Sequence, residues 1–205
     1  MMGPGVGVAP GSEESMAEFH VLVAGYLRDD EDRVGSTVSA VLDGGSVVVI
    51  DPGLVRHVRA IIDPLAELGP SPEDVTDVVI SHHHPDHTLK AALFPNARVH
   101  DHWAWYRDDL WTSREAEGFE VSPSVTLWET PGHTPQDVTT IVRADLGVVA
   151  CTHLWWSSSG PPEDPLATDA DALHANRERV LSIPGLALVV PGHGEAFVPD
   201  DSTPR

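Results

Sequence analysis

The chain has 205 residues, 41% hydrophobic and 21% charged, an ordinary globular balance with room for one domain and little for a second. Thirty-two acidic against twelve basic side chains leave a formal charge of −20, which repels nucleic acid and anionic lipid over most of the surface. No apolar run is long enough to cross a bilayer, and the single cysteine, Cys151, excludes an internal disulfide and a four-cysteine zinc site.

Residues 1–15 are rich in Gly, Pro and Ser and lack a basic stretch followed by an apolar one, so they read as a flexible leader and not an export signal. A cytoplasmic location is the matching expectation. One domain is expected over 16–199 and a flexible tail over 200–205. Phe19 to Tyr26, Thr37 to Leu42 and Val47 to Ile50 read as strands, the last two joined through the hairpin signal Asp43-Gly44. Val55 to Leu68 has helical apolar spacing, with Pro64 predicting a kink or break inside it. Val75 to Ile80 reads as a buried strand and His87 to Leu93 as a helix. Strands follow at Arg98 to His100, Val125 to Glu129, Val138 to Val142 and Gly147 to Cys151. After a polar loop at Ser157 to Asp164 come a helix, Asp169 to Leu181, and a last strand, Leu186 to Val190. Two strand-rich blocks, each followed by helices, predict two packed sheets with helices outside.

The twelve histidines are the outlier in this composition. His82-His83-His84-Pro85-Asp86-His87 follows directly on a predicted buried strand. Imidazoles and carboxylates bind a metal when they converge from a rigid base. Alternation along extended chain puts His82 and His84 on one side and turns His83 away. Asp86 and His87 come after the bend that Pro85 favours, so they can point to a second location a short distance off. A mid-chain tag-like tract would not follow a buried strand.

Ser81 to His87 resembles the signature of the metallo-β-lactamase-fold hydrolases. Asp51-Pro52-Gly53 is similar to that family's Asp-x-Gly turn, Gly132-His133-Thr134-Pro135 to its Gly-His-Thr-Pro segment, and Pro191-Gly192-His193-Gly194 to its terminal motif. The resemblance spans about Phe19 to Phe197 and implies a four-layer αββα sandwich (α/β, or α+β, by class) with metals at the sheet edges. It points to short, single-domain members. By motif it implies that His82, His84 and His133 hold one metal and that Asp86, His87 and His193 hold a second. Three neutral imidazoles leave a tetrahedral zinc one open position for a water acidified to a pKa of about 7. One or two Zn2+ ions are expected, with Fe or Mn as alternatives.

One landmark is missing. The family's bridging aspartate would fall within Val148 to Trp156, which holds no carboxylate. Thr152 or His153 takes that slot, depending on register. A neutral His153 can ligate one metal but cannot bridge two as a carboxylate does; Cys151 is a further ligand type nearby. Asp51 reads either as a turn-forming residue or as an acceptor orienting a ligand histidine. Trp155 and Trp156, beside His153, read either as core packing or as the wall of a substrate pocket. Arg177 and Arg179 either face an anionic substrate or offset neighbouring acids.

These readings predict a metallo-hydrolase. A zinc-activated hydroxide would attack a small-molecule ester, thioester or lactone, with Asp86 orienting the water or taking its proton. A phosphodiesterase or endoribonuclease of the same fold is the alternative, though the charge makes a nucleic-acid partner unfavourable. The other alternative is a non-catalytic metal-binding protein, suggested by the missing aspartate. No membrane partner is expected, and the sequence leaves the oligomeric state open.

Overall fold

The computed structural model describes residues 16–28 and 31–205; the expected leader lies outside the described residues. Seven strands form one sheet in the order β1-β4-β5-β6-β7-β8-β9. They are β1 (Glu18–Val23), β4 (Val38–Asp43), β5 (Ser46–Ile50), β6 (Asp77–Val79), β7 (Arg98–His100), β8 (Ala104–Arg107) and β9 (Leu110–Ser113). A second sheet runs β10 (Glu120–Ser122), β11 (Val125–Glu129), β12 (Val138–Ala144), β13 (Gly147–Cys151) and β14 (Leu186–Val190). A short ribbon, β2 (Tyr26–Arg28) with β3 (Arg33–Gly35), stands apart from both.

Alternation along each strand assigns the layers. In β5, Val48 and Ile50 enter the core between the sheets, where they join Val79, Leu127, Val142 and Val149. Val49, between them, points the other way and packs with Ile61 and Leu65 of helix α1 (Arg59–Glu67). In β13, Val149 and Cys151 face inward, while Ala150 packs outward with Leu173 and Val180 of helix α3 (Ala170–Leu181). Helix, sheet, sheet and helix therefore stack as the expected αββα sandwich.

Two parallel pairs set up the site. β5 runs parallel to β6, and β13 parallel to β14, so the C-terminal ends of each pair lie together at one edge. The turns leaving those ends are stitched across the sandwich: Val138 N–H donates to the Ser81 carbonyl (2.8 Å) and Thr37 N–H to that of Gly192 (2.8 Å).

Several local expectations change. Helix α1 begins later than expected and continues through Pro64 without a break. Its buried Ile61 and Leu65 anchor it while Pro64 forgoes one intrahelical bond. The helix expected over His87 to Leu93 is a four-residue α2 (Pro85–Thr88) and a separate 3₁₀ turn (Ala91–Leu93). The backbone leaves the helix because it bonds instead to the Asp51-Pro52-Gly53 turn: Lys90 N–H to the Pro52 carbonyl and Leu54 N–H to that of Asp86, both 2.8 Å. Beyond β7 the chain, with Trp105 and Trp111, forms an additional hairpin, β8-β9. Residues 200–205, expected as a flexible tail, pack on the body: Thr203 is buried, the Pro204 carbonyl accepts from the Trp155 indole (2.7 Å), and Arg205 pairs with Glu178 (2.8 Å).

Candidate metal centre

The ends of β5, β6, β11, β13 and β14 each deliver one part of a histidine cluster. Two of its groups match the two expected ligand sets: His82, His84 and His133, and Asp86, His87 and His193, with ligand atoms inside each group within 4.8 Å of one another. His82 Nε2 lies 2.9 Å from His84 Nδ1, and His133 Nε2 lies 3.2 Å from that same Nδ1. Tetrahedral ligands on bonds of about 2.0–2.1 Å are separated by about 3.3 Å, so this spacing fits one small ion. In the second group, Asp86 Oδ2 lies 3.4 Å from His87 Nε2 and 3.6 Å from His193 Nε2.

The outward hydrogen bonds decide which nitrogen of each ring faces the centre. His87 Nδ1–H donates to Asp51 Oδ2 (2.9 Å), His133 Nδ1–H to Asp164 Oδ2 (2.7 Å) and His193 Nδ1–H to the Gly35 carbonyl (3.2 Å). The Ser81 hydroxyl gives its proton to Asp51 (2.7 Å), which leaves its oxygen to accept from His82 Nδ1 (3.1 Å). Four rings thus turn an Nε2 lone pair inward. His87 Nε2 is buried without any hydrogen-bond partner, an arrangement that a metal satisfies.

Electrostatics keep four of the rings, His82, His84, His153 and His193, in the ligand form. Burial and then the neighbouring His87 hold the His82 pKa far below the usual histidine value. Burial and His82 do the same for His153. Burial and His87 bring His193 to about 4. His84, more exposed, is lowered chiefly by its partial burial. A neutral imidazole carries the lone pair that a metal needs.

Of the two candidates for the missing bridge, the fold brings His153 to the cluster. Its ring centre lies 4.2 Å from that of His133, 4.5 Å from His82, 4.9 Å from His87 and 5.0 Å from His193, between the two groups. Thr152 turns away to a hydroxyl ladder with Thr139 (2.7 Å). Cys151 stays in the core, where burial pushes its thiol pKa up. The His153 ring fits because residue 192 has no side chain: a Cβ on Gly192 would stand 2.4 Å from His153 Cδ2.

Asp51 acts on the cluster from behind. Its backbone is in the left-handed region (φ 51°), and its carboxylate accepts from Ser81 N–H (2.7 Å), the Ser81 hydroxyl and His87. Next to it, Gly53 passes so close to α2 that a Cβ would overlap the Asp86 carbonyl oxygen at 1.5 Å. His83 points out of the cluster, as alternation predicts, toward Asp101 (3.0 Å).

The cluster floors a cleft of about 150 Å³. His84, Asp86, His133, His153 and His193 line its base, and Leu27, Val34, Trp156 and Leu166 line its sides. Trp156 therefore stands where a pocket wall was expected. Trp155 does not: it is fully buried in the α3 core cluster, its indole bonded to Pro204. The two indoles part company: that of Trp155 donates to the Pro204 carbonyl and that of Trp156 to Asp164 Oδ2 (3.0 Å), so only Trp156 lines the cleft. Arg177 and Arg179 do not face it either. Arg177 is buried and donates to the carbonyls of Leu154, Pro161 and Pro162, while Arg179 pairs with Glu117. Nothing in the local pattern of Asp164 separates it from an ordinary turn-forming aspartate, so the sequence does not single it out.

A sandwich of this topology with ligand-type residues at one edge defines a class. The model of the metallo-β-lactamase superfamily matches residues 32–198, and the chain belongs to that superfamily. Among curated proteins, it is 30% identical over 195 residues to metallo-β-lactamase domain-containing protein 1 of Rattus norvegicus, covering 86% of this chain and 75% of that one. It is also 30% identical over 176 residues to the uncharacterized protein C03F11.2 of Caenorhabditis elegans, covering 79% of this chain but only 48% of that protein. Among solved structures, B. thuringiensis AiiA with N-decanoyl-L-homoserine at its active site matches with a TM-score of 0.62 at 16% identity, covering 87% of this chain and 93% of that one. At that identity the likeness shows the fold. No described helix is long and apolar enough to cross a membrane.

Proposed function

We propose that the chain is a zinc-dependent hydrolase of small-molecule esters, thioesters or lactones. The observation that carries this reading is the inward convergence of imidazole Nε2 atoms whose opposite nitrogens are bonded outward. His82, His84 and His133 would hold one ion; Asp86, His87 and His193, with His153 beside them, would hold a second. When bound, zinc supplies Lewis acidity and lowers the pKa of a water toward neutrality. Asp86 is partly exposed at the cleft base, where its carboxylate is placed to orient a nucleophilic water or take its proton. Leu27, Val34, Trp156 and Leu166 would hold an apolar acyl portion and limit its size.

Among the described residues, no lysine or arginine lines this cleft. Together with the formal charge of −20, that weighs against a phosphodiester substrate, whose binding rests on cationic side chains. His153 in the place of a bridging carboxylate favours one second reading, a metal-binding protein without turnover. Metal analysis of the purified protein and a panel of esters, thioesters, lactones and phosphodiesters separate these readings. The hydrolase reading expects bound zinc and acyl hydrolysis that is lost in His84→Ala and Asp86→Asn. Tight zinc binding with no turnover across the panel supports the second reading. Protein that binds no divalent metal refutes both.

A further inference from the structure

We propose that Asp164 is a positioning residue: its carboxylate sets the His133 ring and the Trp156–Leu166 wall of the cleft as one unit. This rests on the reading of His133 as a metal ligand. The Asp164 side chain has no exposed surface, yet every bond it makes goes to this site. Oδ2 accepts from His133 Nδ1–H (2.7 Å) and from the Trp156 indole (3.0 Å); Oδ1 accepts from Leu166 N–H (2.8 Å). Buried carboxylates are uncommon unless paired, so a buried one wholly given to three groups of one cleft is a specific arrangement.

Its position also settles what Asp164 does not do. The two nitrogens of an imidazole face opposite sides, so a carboxylate bonded to His133 Nδ1 sits behind the ring and not in front of the inward Nε2. Asp164 is therefore not the displaced bridging ligand; it holds the tautomer in which Nε2 is free. The loop that carries it is itself pinned from within. Arg177, fully buried on α3, donates to Leu154 (2.8 Å), Pro161 (2.9 Å) and Pro162 (2.6 Å), fastening the chain on both sides of Trp156 and up to Asp164.

The test combines ring-nitrogen NMR with zinc affinity by chelator competition, on wild type, Asp164→Asn, Asp164→Ala and His133→Ala. In the chelator-stripped wild type, His133 is expected to be the Nδ1-protonated tautomer, and the Trp156 indole proton to exchange slowly. Both Asp164 variants are expected to weaken zinc binding about 10–100-fold, to mix the His133 tautomers and to speed Trp156 indole exchange together. A wild-type His133 found protonated on Nε2 overturns the proposal whatever the variants do. So does a folded Asp164 variant with wild-type affinity while His133→Ala loses zinc, an outcome that leaves the metal reading intact. Unchanged zinc binding in His133→Ala instead overturns the metal reading of that residue, and this inference with it.

Discussion

Free of bound metal, this protein should be unusually sensitive to mild acid. His82, His153 and His193 all titrate well below an ordinary histidine, the last at about 4. An unfolded histidine takes its proton near pH 6.5. Between that value and the depressed folded pKa, the unfolded state binds more protons, so stability falls as pH falls. At pH 5 each ring kept neutral costs about 2 kcal/mol, and the three together about 6 kcal/mol. Asp137 opposes them. Burial raises its carboxyl to about 6 despite the bonds from Thr134, so it gains a proton in the folded state first and returns a little over 1 kcal/mol by pH 5. The net loss, about 5 kcal/mol, is a large share of the 5–15 kcal/mol typical of a domain. For a chain of this size it lowers Tm by about 10–20 °C between pH 8 and pH 5. Thermal unfolding of chelator-treated protein across that range measures it directly. Asp137→Asn removes the opposing contribution and should steepen the fall. A Tm that stays level from pH 8 to pH 5 would refute the claim that the cluster is held neutral.

Three substitutions probe the architecture around the cluster. Gly53→Ala forces a methyl into the Asp86 carbonyl, a backbone atom that cannot step aside; soluble protein should be lost, or stability reduced by more than about 4 kcal/mol in urea unfolding, and near-normal stability would contradict the close approach. Gly192→Ala crowds the His153 ring, a side chain that can move. The fold should survive while zinc affinity drops, and unchanged affinity in chelator competition would show that His153 does not contribute to binding. Arg177→Met leaves the buried Leu154 carbonyl, and the partly buried ones of Pro161 and Pro162, without their donor. A loss of at least about 1–3 kcal/mol is expected from urea unfolding, the cost of leaving the buried Leu154 carbonyl unsatisfied; wild-type stability would remove the clamp from the account.

The local chain carried much of the fold and half of the centre. Alternating Val and Ile in β5 and β13 settle which residues face the other sheet and which face a helix, because side-chain direction in a strand has a period of two. His82, His84, Asp86 and His87 lie within six positions on one strand-turn-helix unit, so short-range geometry alone brings them together. What separates Trp155 from Trp156, selects His153 over Thr152 and recruits Asp164 is of another kind. Each depends on the path of the loop between β13 and α3, and that path is set by Arg177 reaching from α3 and by Gly192 leaving space at the end of β14. Partners this far apart along the chain meet only when α3 and the end of β14 pack against the loop that leaves β13, so no local pattern announces them; tertiary contact decides which of several plausible side chains faces the cluster.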